Sequence, residues 1–133
     1  MVSRKVSTYC GTGRRKCAVA CVKICEGTGK FNINGKGVAE FCPLDSAERQ
    51  LFTPLVLTNN VDRLDVSVKT SGGGIMGQVG AISLGLARAL EKMNSELRAV
   101  LKKEGLLTRD SRVRERKKPG QPGARKRFQF SKR

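Results

Sequence analysis

The last 25 residues, 109–133, restrict most strongly what this chain can fold into. They carry eleven Lys or Arg, two acids and only four apolar side chains, Val113, Ala124, Phe128 and Phe130. A segment with so little apolar surface cannot offset the entropy that it loses on ordering, so we expect it to be disordered alone in water. A polyanion is needed to order it. Nucleic acid is the first candidate, because each neutralised phosphate releases a condensed counterion.

The other 108 residues are basic as well. The net charge is +16 over 133 residues; eleven cations against two acids give the last 25 residues +9 and leave +7 for the rest. A basic surface on both parts indicates contact with a polyanion on more than one side. Because 108 residues suffice for one modest core, we predict a globular RNA-binding domain over 1–108 and an extended basic tail over 109–133.

Composition argues against membrane proteins and most metal-binding proteins. No stretch approaches the roughly 20 apolar residues of a membrane span, and residues 1–8 lack the apolar run of a signal peptide, so we expect neither. The five cysteines cannot all pair internally, and the chain has no histidine and no Cys-x-x-Cys. We interpret them as reduced, packed thiols in a reducing compartment, with a metal or redox site as the alternative. We expect no metal and no cofactor.

Alternation of apolar and polar residues predicts several strands. Residues 6–26 have an extended pattern that Gly11-Thr12-Gly13 breaks. A short strand at 31–33 leads to Asn34-Gly35, a strong hairpin signal. Residues 64–69 alternate clearly and form a later strand. After the glycine break, one strand face is apolar and consists of Ala18, Ala20, Val22 and Ile24.

Helical spacing appears between and after these strands. Asp45 or Ser46 is placed to cap a helix that Pro54 interrupts. Residues 78–93 form a helix with apolar side chains at three- and four-residue spacing, and residues 96–103 form a second one that Gly105 ends. The fold class is therefore α+β, a small mixed sheet with packed helices and a long extended basic C-terminal tail.

The segment Gly72-x-Gly74-x-x-Gly77 formally matches a dinucleotide-binding fingerprint between a strand and a helix. That fingerprint expects an acidic residue on a strand beyond the helix, whereas Glu91 and Glu96 lie in helical sequence and no strand follows. The glycines then serve either close backbone packing or an RNA phosphate, and the residues alone leave both open.

Residues for enzyme chemistry are scarce. The chain has no histidine, no Gly-Lys-Thr phosphate loop and no evident carboxylate pair. Asp62 and Asp65 stand near the start of a strand, where we interpret them as solvated charges. A cysteine nucleophile would lack a histidine base. We therefore predict that the chain is not an enzyme and has no catalytic residue.

Three clusters of cations are candidates for binding phosphates. Arg14-Arg15-Lys16 follows the glycines, which places it on a loop that a phosphate can approach closely. Residues 109–118 are dense enough in cations to follow a phosphate ribbon. Arg125-Lys126-Arg127 precedes Phe128 and Phe130, which either stack on bases or contact a partner protein.

Besides Asn34-Gly35, four longer motifs stand out: GTGRRKCAVA at 11–20, GGGIMGQVGAISLGLARAL at 72–90, LTRDSRVRERKK at 107–118 and ARKRFQFSKR at 124–133. The last three are highly specific in combination. Through them the chain resembles the family of the bacterial-type ninth protein of the small ribosomal subunit. The resemblance implies a body like domain two of the fifth small-subunit protein and a place in the head of that subunit. It also implies a tail that threads through ribosomal RNA to the anticodon arm of peptidyl-site transfer RNA.

The same resemblance implies the partners and the site residues. The partners are small-subunit ribosomal RNA, peptidyl-site transfer RNA and neighbouring head proteins, with no membrane, in a bacterial cytoplasm or an organelle-encoded ribosome. Cys21 and Ser83 stand where the family commonly has Arg. Ser131, Lys132 and Arg133 are the expected transfer RNA contacts. The expected ribosomal RNA contacts are Arg14, Arg15, Lys16, Gly72, Gly73, Gly74, Gln78, Arg109, Arg112, Arg114, Arg116, Lys117, Lys118, Arg125, Lys126 and Arg127.

Two functions from other classes remain as alternatives. One is a small metabolite kinase or other nucleotide-binding enzyme that uses the 72–77 loop. The other is a free basic chaperone or DNA-compacting protein.

Overall fold

A computed structural model describes residues 6–132, so Arg133, one of the expected transfer RNA contacts, lies outside the described residues. The α+β prediction is confirmed. The elements in chain order are β1 (Thr8–Arg15), β2 (Ala18–Glu26), β3 (Phe31–Ile33), β4 (Lys36–Gly37), α1 (Val38–Phe41), α2 (Asp45–Leu57), β5 (Leu64–Ser71), α3 (Ile75–Met93) and α4 (Leu97–Lys103).

The strands form one mixed sheet in the order β1-β2-β5-β3-β4. β2 is antiparallel to β1 and β5, and β3 is parallel to β5 and antiparallel to β4. α3 packs on β1 and β2, and α2 packs on α3. Strand alternation therefore divides the sheet into a face covered by helices and an open face. The predicted apolar face of β2 is confirmed as part of the buried core, which includes Ala18, Ala20, Val22 and Ile24.

The prediction of a break at Gly11-Thr12-Gly13 is wrong, because β1 continues through it. Gly11 and Gly13 are buried strand residues that face α3. A Cβ on Gly11 would overlap the carbonyl oxygen of Gly85, and one on Gly13 would overlap that of Ala81. Glycine inside a strand often marks a close approach of another backbone, and here that backbone is the helix.

The helices begin and end near the predicted positions, with three differences. α2 runs through Pro54 instead of stopping there, because burial of Leu51, Pro54 and Leu55 outweighs one missing helical hydrogen bond. Its N-cap is Leu44, so neither Asp45 nor the next residue caps it through a side chain. α3 begins three residues earlier than predicted, at Ile75.

Two predicted turns are confirmed. Asn34 and Gly35 both have positive φ, 53° and 82°, as a two-residue hairpin between β3 and β4 requires. Gly105 has φ 72° directly after α4, and the N–H of Leu106 donates to the carbonyl of Leu101 at 3.1 Å. This is the usual left-handed helix end.

Residues 109–132 contain no helix or strand. Phe128 and Phe130 are 73% and 88% exposed, so neither contributes to the core. The disorder of this segment in free solution stays a prediction. Within residues 6–132, every helix falls short of the length and apolar character needed to cross a bilayer.

The contact between β1 and α3 predicts a large effect of one methyl group. In Gly13→Ala the new Cβ would meet backbone atoms of Ala81 and Gly85, which cannot rotate away as a side chain can. We expect the free energy of unfolding to fall by about 2 kcal/mol or more, as in other overpacked sites. Gly37→Ala is the matched control, since its Cβ would meet no atom within 4 Å. Urea denaturation of both variants measures the difference, and equal stability would refute the tight contact.

Candidate nucleic-acid interface

The turn between β1 and β2 and the loop between β5 and α3 lie side by side at one end of the sheet. Gly72 and Gly73 have φ of 72° and 67°. A Cβ on Gly72 would lie 2.6 Å from the carbonyl oxygen of Cys17, and one on Gly73 would lie 3.1 Å from the nitrogen of Ala18. Gly72 and Gly73 therefore do serve close backbone packing, whereas a Cβ on Gly74 would meet no atom within 4 Å. The packing of Gly72 and Gly73 brings the loop against the turn between β1 and β2.

A chain of polar side chains holds the glycine loop. The Gln78 amide donates to the carbonyl of Gly72 at 3.1 Å and accepts from the Thr70 hydroxyl at 3.3 Å. The N–H of Thr70 donates to the Asn34 side-chain oxygen at 2.9 Å. Because both ends of the Gln78 amide have these partners, the structure shows a positioning role for Gln78.

The basic cluster at residues 14–16 is only partly on a loop, which corrects the prediction. Arg14 and Arg15 are the last two residues of β1, and Lys16, with φ 52°, begins the turn. Strand alternation places the two arginines on opposite faces of the sheet. Arg15 pairs in register with buried Ala18 and so lies on the helix-covered face, whereas Arg14 lies on the open face.

The start of the tail is attached to Arg15 through Asp110. Asp110 Oδ2 lies 3.5 Å from Arg15 Nε and 2.8 Å from Arg112 Nη2, and Asp110 Oδ1 accepts from Arg112 Nε at 3.0 Å. The Arg112 side chain, then its backbone N–H, holds the pKa of Asp110 well below its usual range, with smaller help from the charge of Arg15. Asp110 therefore stays ionised and brings Arg109 and Arg112 to the same end of the sheet as the basic turn.

Sequence reasoning missed this role of Asp110. The sequence did contain a signal for it, because Asp110 is one of only two acidic residues in a segment, 109–133, that holds eleven cations. The other, Glu115, is also paired, with Arg125 at 2.9 Å and Lys118 at 3.9 Å. Both acids thus hold the tail in contact with itself or with the body.

The other predicted tail cations are exposed, and they follow Arg112 further along the tail. No ion pair joins them to another residue of 6–132, so their charges are available to a polyanion. They are Arg114, Arg116, Lys117, Lys126, Arg127 and Lys132.

The open face of the sheet adds two cations that the predicted site lacked. Lys23 pairs in register with Cys10, and Lys69 pairs with Cys21, so both lysines lie on the same exposed face of the sheet as Arg14. The polar face of β2 in the alternating pattern was the signal for Lys23. The open face adjoins the end of the sheet that carries the turn between β1 and β2, so these two lysines extend the region of positive charge.

Other charges are used inside the protein. On the free edge of β1, Arg88 donates to the carbonyl of Thr12 at 2.7 Å and Lys92 to that of Cys10 at 2.8 Å. These two bonds satisfy edge carbonyls that would otherwise be open to another strand.

Asp65 is not a simple solvated charge, which corrects the sequence interpretation. It accepts hydrogen bonds from the backbone N–H groups of Thr28 at 2.8 Å and Lys30 at 2.9 Å. The Lys30 and Thr28 bonds lower its pKa against a small opposing effect of burial. Asp65 is therefore the residue that closes the turn between β2 and β3.

Neither metal nor nucleotide chemistry has a recognisable site in the described part of the chain. Residues 6–132 contain no group of three or more His, Cys, Asp or Glu that could hold a metal ion. The five thiols are free, and Cys42 is the buried one. After α3 the described chain continues into α4, so the glycine loop does not belong to the strand-helix-strand unit of a dinucleotide site.

Comparison with known proteins gives consistent matches over nearly the whole chain. The sequence profile of the ribosomal protein S9/S16 family matches residues 13–133. Small ribosomal subunit protein uS9 of Anaeromyxobacter sp. (strain K) is 53% identical over 121 residues, 91% of this chain and 93% of that protein. The uS9 proteins of Maridesulfovibrio salexigens and Methylacidiphilum infernorum are 48% and 51% identical over 122 residues, 92% of this chain and 94% and 90% of those proteins.

The attachment of the tail at Asp110 predicts an unusual pH dependence. Because the folded-state pKa is lowered, the stabilisation from the ionised carboxylate is complete above the ordinary aspartate pKa of about 3.9 and is lost only as pH falls from there toward the lower folded value. The Arg112 Nε–Hε NMR signal should therefore stay constant from neutral pH down to about 4.

Asp110→Asn should move that signal throughout the range from neutral pH down to about 4, because a neutral amide cannot make the charge-assisted bond. Asp62→Asn, at an exposed aspartate, is the control and should leave the signal in place. A wild-type titration with a midpoint at the ordinary aspartate value would contradict the arrangement.

Proposed function

Because this chain belongs to the ribosomal protein S9/S16 family, we propose that it is a structural protein of the small ribosomal subunit that binds ribosomal RNA. Family membership identifies a ribosomal protein and not an enzyme. The observation that best supports RNA binding is the convergence of Arg15, Lys16, the Gly72–Gly74 loop and Arg112 at one end of the sheet.

The proposed mechanism is electrostatic. Cations neutralise closely packed phosphates and release counterions, which gives affinity without any base-specific contact. The glycine loop adds exposed backbone at a place where a sugar-phosphate strand can approach without meeting side chains. The sixteen expected ribosomal RNA contacts remain our proposal, with Gln78 acting by holding the loop.

The two parts of the chain have different roles in this proposal. The proposed globular domain spans 1–108, and its described part, residues 6–108, presents the turn between β1 and β2 and the open face of the sheet. Residues 109–133 form a tail that becomes ordered only on RNA, because it has many charged side chains and too few apolar ones to build a core. The Asp110 contacts fix the direction in which the tail leaves the domain.

The tail also supports a second contact. An extended chain covers at most about 3.3–3.6 Å per residue, so the stretch from Asp110 to Lys132 would reach at most roughly 70 Å once RNA had drawn it out. We propose that Ser131, Lys132 and Arg133 contact the anticodon arm of peptidyl-site transfer RNA from the head of the subunit. Ser131 and Lys132 are exposed. In this assembly, neighbouring head proteins are the other partners, in a bacterial cytoplasm or in an organelle.

Deleting residues 109–133 should reduce the salt dependence of binding to a small-subunit ribosomal RNA transcript. The logarithm of the binding constant falls as the logarithm of the salt concentration rises, and each phosphate contact adds about 0.7–0.9 to the magnitude of that slope. Loss of several contacts should therefore make the slope shallower by several units. Filter binding over a KCl series measures both proteins. A Phe128→Ala and Phe130→Ala double variant keeps the charge and should keep the slope. Binding of the full chain that is indifferent to salt would refute the proposed function.

Removing only residues 131–133 tests the transfer RNA contact. We expect subunit assembly and the folded domain to be unaffected, because the removed residues that are described contact neither core nor Asp110. Transfer RNA should dissociate faster from the peptidyl site of subunits that carry the truncated chain. Replacement of Ser111, Val113 and Gln129 by Ala leaves the charge and the last three residues unchanged and serves as the control. Equal dissociation rates for truncated and full chains would exclude this contact.

A further inference from the structure

A cavity of about 210 Å³ lies where the end of β1, α2, α3 and the start of the tail meet. Arg14, Arg15, Gly80, Ser83, Asp110 and Arg112 are among its lining residues. At about 30 Å³ per water molecule, the cavity has room for about seven waters, or for one phosphate group with part of its hydration. It is partly open to solvent.

The Arg15 side chain is built into one wall of this cavity. It lies across α3 at Gly80, where a Cβ would overlap Arg15 Cδ and lie 2.9 Å from Nη1. Its Nε is fully buried and has no hydrogen-bond partner among residues 6–132, since Asp110 Oδ2 at 3.5 Å is too distant for a good bond. The guanidinium is thus held in place while its donors are not used up within the protein.

Ser83 supplies a hydroxyl to the same cavity. It is 4% exposed and is the one buried polar residue within the described range. A serine hydroxyl can donate to a phosphate oxygen and needs no charge to do so. Because Ser83 lines the cavity, its hydroxyl adds a second donor to the one that Arg15 offers there.

The charge in the cavity favours an anion. The side chains of Arg15, Arg112 and Asp110 bring two guanidinium groups and one carboxylate to it, which leaves a surplus of one positive charge. The Asp110 carboxylate would repel an anion, but both of its oxygens already accept hydrogen bonds from Arg112. An arginine fork held in a fixed orientation suits phosphate because it can donate two parallel hydrogen bonds.

We propose that this cavity binds one backbone phosphate of RNA, with Arg15 and Ser83 as its donors and Gly80 as the residue that lets Arg15 lie flat. The inference rests on the proposed function and specifies where the domain grips the sugar-phosphate chain. It assigns roles to Gly80 and Ser83, which the sequence-predicted site did not include. The phosphate would sit beside the first residues of the tail, so that binding there also sets the path of the tail.

Ser83→Leu tests the proposal without changing any charge, because its side chain fills the cavity. We expect the affinity of the full chain for a small-subunit ribosomal RNA transcript to fall about tenfold. The magnitude of the salt slope should fall by about 0.7–0.9, the value for one lost phosphate contact. Ala39→Leu is the control, since Ala39 is an exposed residue of α1, and it should behave as wild type. Affinity and slope unchanged in Ser83→Leu, while the wild type binds RNA, would overturn the inference and leave the proposed function intact.

A second measurement needs no variant of the cavity. The buried Nε–Hε of Arg15 should give an observable NMR signal, which we expect to shift saturably with inorganic phosphate and not with chloride at the same ionic strength. Should Ser83→Leu fail to fold, as judged by circular dichroism, this titration decides. Absence of a saturable shift would overturn the phosphate site. If the wild-type chain itself showed no salt-dependent binding to RNA, that result would instead count against the proposed function.

Discussion

The direct contact between the backbones of β1 and α3 determines the rest of the structure. Gly11 and Gly13 face Gly85 and Ala81 with no side chain between them, so strand and helix approach as closely as their backbones allow. This approach places the end of β1 over the first turns of α3, which is why Arg15 can cross Gly80. A typical domain is stable by only 5–15 kcal/mol. An added methyl group that costs about 2 kcal/mol at this contact would therefore threaten the site as well as the core.

The cations of this chain fall into two groups, and the difference explains how one protein has both a rigid and an adaptable part. Arg88 and Lys92 bind edge carbonyls of β1, and Arg112 binds Asp110, so these charges stabilise the protein itself. Most tail cations have no internal partner among the described residues, and their mutual repulsion disfavours a compact tail. A polyanion removes that repulsion. In the function that we propose, the domain recognises RNA before the tail is ordered, and the tail then follows the RNA surface.

Local rules account for the parts of the fold that the sequence predicted. The alternation in β2 and the Asn34-Gly35 turn depend on residues next to one another, and both are confirmed. The interpretation of Gly13 as a break failed because its role depends on α3, about 70 residues later in the sequence. For the same reason the basic clusters were visible in the sequence, while the cavity at Ser83 was not. Its walls come from four separate segments whose proximity no local pattern reveals.

The central claim is that a preorganised domain holds the start of a tail which becomes ordered only on RNA. Backbone ¹⁵N relaxation of the full chain, free and bound to a small-subunit ribosomal RNA transcript, tests this most directly. The account predicts that residues of β1 and α3 are rigid in both states, with order parameters near 0.85. Residues 113–132 should rise from below about 0.6 to values typical of ordered backbone when RNA binds. A tail that is already rigid and packed on the domain in the free protein would contradict the account.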